Sequence, residues 1–155
     1  MSPTPIPQKP RFLKNFSIFV SLNNTLTDMT TYSSEQSPKT PLINFDPVSG
    51  TFEMRGKSIP ENSVLFYKPL YEWLDAYIQS PAPSTTLNVQ LDYFNTSSSK
   101  CIVDIFKRLE QISKNGKGQA SINWRYDEAD EDMQEAGEDY KSIIKIPFNL
   151  VSFVK

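Results

Sequence analysis

Histidine is absent from this 155-residue sequence, and cysteine occurs once, at Cys101. Together these gaps exclude a good deal of chemistry. A single thiol with no imidazole cannot build a Cys/His zinc site. Ser-His-Asp and Cys-His catalytic arrangements are excluded for the same reason. No intramolecular disulfide can form, which fits a reducing cytoplasm. No run approaches the ~20 apolar residues that span a bilayer, so membrane insertion is not expected. The formal net charge of −2 gives no general drive towards nucleic acid or anionic lipid. Acid–base chemistry would fall to carboxylates, lysine or tyrosine, and nothing groups these into a recognisable active site. No cofactor and no metal is expected.

What is present describes a folded protein. Hydrophobic residues make up 38% of the chain and aromatics 12%, enough for a real core. The length suits one domain plus a tail. Residues 1–40 read as a flexible extension. Pro3, Pro5, Pro7 and Pro10 prevent regular structure at its start. Lys9, Arg11 and Lys14 then accompany a short apolar patch, Phe12, Leu13, Phe16, Ile18, Phe19, Val20 and Leu22. A secretory signal is disfavoured, because the patch is interrupted and Leu22-Asn23-Asn24-Thr25 is not a small-residue cleavage site. Met29 is an alternative start, which would leave residues 1–28 outside the native protein. Residues 30–40 read as a polar lead-in.

From Pro41 onward the patterning becomes regular. Ile43 and Phe45 alternate with polar residues as a short strand, and Asp46-Pro47-Val48-Ser49-Gly50 forms a turn. Residues 51–56 return as a second strand with Phe52 and Met54 on one face. A first helix is expected over 62–79, with Phe66, Leu70, Trp73, Leu74 and Tyr77 on one side. Pro69 should kink this helix or set its start near Lys68. Leu87, Val89, Leu91 and Tyr93 alternate as a half-buried strand, and Ile102, Ile105, Phe106, Leu109 and Ile112 follow at helical spacing. Asn115-Gly116-Lys117-Gly118 ends that helix. Ala120, Ile122, Trp124 and Tyr126 make another strand, and the acidic segment 127–139 a loop leading into a short helix. Ile144, Ile146, Phe148 and Leu150 form a last strand, which Pro147 places at a sheet edge. The order β-β-α-β-α-β-α-β, with alternating rather than wholly apolar strands, predicts an α/β fold. Its mixed sheet of four to five strands carries helices mainly on one face.

Tyr93-Phe94-Asn95-Thr96-Ser97-Ser98-Ser99-Lys100 sits where the strand pattern stops and the helix pattern begins. Four consecutive hydroxyls at a strand-to-helix junction suit a helix cap, an anion site or a phosphorylated switch. Capping by Asn95 or Thr96 needs one such side chain and contributes ~1 kcal/mol. A phosphate on Thr96 or Ser97 would add about −1.5 to −2 charges beside the positive helix pole. The acidic run Asp127, Glu128, Asp130, Glu131, Asp132, Glu135, Glu138 and Asp139 fits no calcium loop. From Asp127 the third position is Ala129, and from Asp130 the sixth is Glu135. It reads as a solvated face or as a docking surface for a basic partner through Asp127, Glu128, Asp130 and Asp132. Trp73 and Trp124 lie in phase with apolar faces as core anchors. Cys101 reads as packing, and Gly116-Lys117-Gly118 is too short for a phosphate loop.

Several of these motifs resemble one family. Pro60-Glu61-Asn62 with Phe66-Tyr67, Pro69-Leu70 and Trp73-Leu74 looks like the helix signature of the SiaC family of bacterial regulatory phosphoproteins. Tyr93-Phe94-Asn95-Thr96-Ser97-Ser98 resembles its central motif. Trp124, Tyr126-Asp127-Glu128, Asp130, Asp132-Met133 and Gly137-Glu138 resemble its acidic segment. The resemblance runs from about Pro41 to Val151. It implies a fold like that of STAS domains and a non-enzymatic cytoplasmic role in partner switching. The implied partners are a serine/threonine kinase, a PP2C-type phosphatase and a diguanylate cyclase that the unphosphorylated protein binds and activates. Carried over by motif, the phosphoacceptor is Thr96, with Ser97 second, and the partner surface is Phe94, Asn95, Thr96, Ser97, Ser98, Ser99 and Lys100. An anti-sigma-factor antagonist is the rival within the same fold. An enzyme built on Asp127 and Glu128 is the rival outside it.

Overall fold

A computed structural model describes residues 29–155. The tail prolines and the apolar patch behind them lie outside the described residues. The described residues form a mixed sheet of six strands in sequential order, β1 to β6. These are β1 (Tyr32–Ser34), β2 (Leu42–Phe45), β3 (Thr51–Ser58), β4 (Ser84–Phe94), β5 (Gln119–Asp127) and β6 (Phe148–Phe153). Three helices connect the last four: α1 (Ser63–Tyr77), α2 (Thr96–Lys114) and α3 (Glu131–Ile143). β1, β2 and β3 pair antiparallel; β3, β4, β5 and β6 pair parallel.

The sheet therefore exceeds the expected four to five strands. The additional one is β1, from the segment read as a flexible lead-in. Its three residues carry no apolar alternation, so pairing with β2 rather than pattern makes it a strand. The last strand starts later than its apolar residues suggest. Ile144 and Ile146 are buried before it, and pairing begins where Ile122 N–H donates to the Pro147 carbonyl at 2.9 Å. Its position at the sheet edge is as expected.

One face of the sheet carries all three helices of the described residues. Phe52, Leu87, Ile122 and Phe148 are register partners along a single row of that face and are buried. Tyr77 of α1 meets Phe52, Phe106 of α2 meets Trp124 and Phe148, and Tyr140 of α3 meets Trp124. Trp124 is buried and its indole N–H donates to the Met133 carbonyl at 2.9 Å, which satisfies its polar group. Trp73 is half-buried, stacked on Tyr77 and edge-on to Phe45 and Phe52. The opposite face is polar. Asn149 donates to Asn123 at 3.0 Å and Asn123 to Asn88 at 2.8 Å, an amide ladder across three strands.

Helix ends follow local chemistry. The Asn62 side chain caps α1 by accepting from Leu65 N–H, so the helix begins at Ser63 and not near Lys68. Pro69 lies inside it on an exposed position, where the hydrogen bond it cannot make leaves a carbonyl facing water. Phe66 is half-buried, and Tyr67 takes the inward position instead. α2 ends with Gly116 N–H bonded to Ser113 and Lys117 N–H to Ile112, and Gly116 adopts φ 69°.

Candidate functional site

The hydroxyl cluster lies at the carboxyl edge of the parallel strands, where β4 gives way to α2. A register shift shapes the approach to it. Gly56 pairs with Leu91, but Lys57 pairs with Tyr93, so Asp92 is an extra residue in β4. The bulge inverts the alternation that sequence alone extends to Tyr93. Tyr93 is thereby 53% exposed, while Phe94 turns inward against Trp124 and Tyr140.

Asn95 caps α2, its side-chain oxygen accepting from Ser98 N–H at 2.9 Å and its carbonyl from Ser99 N–H at 3.0 Å. Asn95 N–H in turn donates to the Ser58 carbonyl at 3.2 Å, tying the cap to the end of β3. The cap falls on Asn95 rather than Thr96.

The four hydroxyls have four different surroundings. Ser98 is fully buried, and its oxygen accepts from Ser58 Oγ at 2.8 Å. With the Ser58 proton so directed, the Tyr67 phenol donates to Ser58 at 2.7 Å. Ser99 is half-buried and donates to the Thr96 carbonyl at 2.7 Å. Ser97 is exposed and donates to Asn95 Oδ1 at 3.1 Å. Thr96 is exposed at the first helical position, and its hydroxyl makes no hydrogen bond among the described residues. Thr96 and Ser97 are thus accessible. Ser98, expected on the partner-facing surface, instead supports the site from beneath, because its short side chain points into the β3–α1 junction. Phe94 likewise faces largely inward, and Lys100 is exposed one turn along α2.

Three phenols brace this helix start, and none was evident as a site residue from sequence. Tyr67 reaches it through Ser58; Tyr71 donates to the Cys101 carbonyl at 2.9 Å; Tyr140 of α3 donates to the Ser99 carbonyl at 3.1 Å. Burial pushes all three phenols well above their usual ionisation range. They remain donors at any physiological pH. The available signal was the i, i+4 spacing of Tyr67 and Tyr71, which puts two phenols on adjoining flanks of one helix.

Electrostatically, the α2 start is an open positive pole. Its first turn holds no acidic residue, whereas the first turn of α3 holds Glu131 and Asp132. The N–H groups of Thr96 and Ser97 have no intrahelical acceptor at this position. The acidic segment is a separate element: Asp127 Oδ1 accepts from Ala129 N–H, and Asp130 caps α3 by accepting from Met133 N–H at 3.0 Å. Asp127, Asp130, Glu131 and Asp132 line a shallow hollow, with Glu128 exposed beside it. Among the described residues, no group of three or more His, Cys, Asp or Glu side chains is arranged to hold a metal ion.

The family model for SiaC family regulatory phosphoproteins matches residues 34–153. The chain belongs to the SiaC family. An uncharacterized protein of Pseudomonas aeruginosa strain UCBPP-PA14 is 32% identical over 109 residues, covering 70% of this chain and 86% of its own. SiaC of Pseudomonas aeruginosa superposes with a TM-score of 0.74 at 28% identity, over 81% of this chain and all of the other. A second similar structure is that of the Pseudomonas aeruginosa diguanylate cyclase SiaD in complex with its activator SiaC. It matches with a TM-score of 0.73 at 29% identity, over 79% of this chain and 99% of that one. Among the described residues, no helix is long and apolar enough to cross a membrane.

Proposed function

We propose that this SiaC-family chain is a non-enzymatic, phosphorylation-controlled activator of a diguanylate cyclase, acting in the cytoplasm. The supporting observation is the contrast among the hydroxyls at residues 96–99. Thr96 is exposed and unbonded on a helix pole free of carboxylates, and its neighbours are buried or bonded. A kinase reaches Thr96 without unfolding anything, with Ser97 the second choice. The SiaC–SiaD complex supports the choice of partner.

In this reading the dephosphorylated protein docks the cyclase through the exposed surface around Asn95, Thr96, Ser97 and Lys100 and raises cyclic-di-GMP, promoting aggregation and biofilm. A serine/threonine kinase adds the phosphate and a PP2C-type phosphatase removes it. The phosphate opposes docking because burying its charge against an unmatched partner patch costs several kcal/mol. The acidic residues Asp127, Glu128, Asp130 and Asp132 serve as a second, salt-sensitive contact for a basic partner surface. A STAS-like architecture is consistent with the helix following a strand at the modified hydroxyl, and the functional domain is taken as 41–155.

The test compares cyclase binding by wild-type protein, Thr96→Ala and protein phosphorylated at Thr96. Wild type and Thr96→Ala should bind alike and the phosphoprotein at least about tenfold more weakly, about 1.4 kcal/mol. Equal affinity for all three sinks the proposal.

A further inference from the structure

Two large apolar side chains stand in water side by side in the first turn of α1: Val64 at 68% exposure and Leu65 at 64%. Neither belongs to the packed side of the helix, which is made by Ser63, Tyr67, Leu70, Leu74 and Tyr77. At about 100° per residue, Val64 falls on the same flank as Tyr71 and Asp75. That flank faces α2. Tyr71 donates to the Cys101 carbonyl, and Asp75 pairs with Arg108 at 2.9 Å.

α1 and α2 each follow a strand of the parallel set, so they run in the same direction and both start at the sheet's carboxyl edge. Val64 precedes Tyr71 by about two turns of α1, and Thr96 and Ser97 precede Cys101 by a little over one turn of α2, so each lies in the first turn of its helix. Val64 and Leu65 therefore lie at the same sheet edge as the accessible hydroxyls, with Val64 on the flank towards α2. Scattered single apolar residues on a surface are ordinary, but two adjacent ones beside a modifiable group form a patch. Val48 and Ile143, also exposed, lie at the opposite edge, in the turn before β3 and at the end of α3.

We infer that Val64 and Leu65 form the apolar part of the surface that docks the diguanylate cyclase, with Thr96 at its margin. This rests on the functional reading above and adds the residues that supply affinity. A surface governed by a phosphate on Thr96 must be contiguous with it, and α1 contributes the apolar contact on that side. The cyclase supplies an apolar counterpart, since covering both side chains with a polar surface would cost that surface its own hydration. A single phosphate then acts economically: it adds charge at the rim of an apolar contact, where desolvation is most costly.

The experiment titrates the diguanylate cyclase of the same organism with four unphosphorylated proteins: wild type, Val64→Ser/Leu65→Ser, Leu65→Ser and Ile143→Ser. Thermal unfolding is followed in parallel. Because both residues are exposed, the melting temperature should be unchanged; should the double variant melt early, Leu65→Ser carries the comparison. Weakening of about tenfold or more in the double variant, with Ile143→Ser binding as wild type, is the expected result. Wild-type affinity in the Val64 and Leu65 variants, or an equal loss in Ile143→Ser, overturns the inference. Failure of wild-type protein itself to bind overturns the functional reading instead.

Discussion

The hydroxyl of Ser58 donates to the hydroxyl of Ser98 across 2.8 Å, joining the last residue of β3 to the first turn of α2 in a fully buried contact. This bond, extended to Tyr67, makes one of four neighbouring hydroxyls structural. Removing Ser98 leaves the Ser58 proton without its acceptor in the core. Ser98→Ala should destabilise the protein by about 1–3 kcal/mol in urea denaturation. Ser98→Asp should lose more, because it buries a charge without a counter-ion. A Ser98→Asp protein as stable as wild type would contradict this division of roles.

Thr96→Asp should behave in the opposite way. A carboxylate at the first helical position, in a turn that holds no other acid, meets the positive helix pole in solvent. Stability should stay level or rise by about 0.3–1 kcal/mol, and more at low salt than at high. The pair Thr96→Asp and Ser98→Asp, two residues apart, thus separates a modifiable hydroxyl from a structural one by thermal melting alone.

Asn95 is bonded through its side chain to Ser98 N–H and, more weakly, to the Ser97 hydroxyl. Asn95→Ala should cost about 1 kcal/mol, within a range of about 0.5–2. Asn95→Asp should largely retain the cap, since one carboxylate oxygen accepts the same bond. Amide hydrogen exchange at Ser98 and Ser99 is the local readout, faster in the alanine variant and close to wild type in the aspartate variant.

Gly137 sits where α3 crosses Trp124 and Leu150. An added methyl would come within 2.5 Å of Trp124 Cδ1 and 2.7 Å of Leu150 Cδ2. The indole cannot give way easily, because it is anchored to the Met133 carbonyl. Gly137→Ala should therefore destabilise by about 1–3 kcal/mol despite its better helix propensity. A gain in melting temperature would mean that α3 shifts freely on the sheet.

Tyr67, Tyr71 and Tyr140 hold their protons more tightly when folded than the usual phenol value of 10.0. The unfolded chain loses those protons first, so above about pH 10 the folded state binds more protons and stability falls as pH rises. Below that value the contribution is constant. Alkaline titration followed by circular dichroism should show a flat plateau to about pH 10 and a cooperative loss beyond it. Tyr71→Phe should shift that loss to higher pH.

Much of the fold was legible because periodicity speaks directly of burial. The alternation in residues 87–91 and 120–124 and the helical spacing in 102–112 mark faces that are buried as expected, while Tyr126 is half-buried. What was hidden depends on partners distant in sequence. β1 has no apolar pattern, and only pairing to β2 makes it a strand. The bulge at Asp92 is a mismatch with β3, so nothing within β4 announces that Tyr93 points out and Phe94 in. At the site, sequence found the hydroxyls and narrowed the cap to Asn95 or Thr96, of which the structure selects Asn95. It could not separate Thr96 from Ser98, because that difference is made by Ser58 and Tyr67, from 29 to 40 positions upstream.

The strands lie across the sheet in the order in which the ribosome delivers them. Each element beyond β1 meets a neighbour already synthesised, and none has to be threaded between two existing strands. Assembly can therefore proceed vectorially, as a growing edge that always presents one free strand to the emerging chain. The Thr96 segment emerges before the helix and strands that complete the layer around it. A nascent chain stalled before β5 would thus expose this hydroxyl cluster without the brace that Tyr140 supplies to the finished fold.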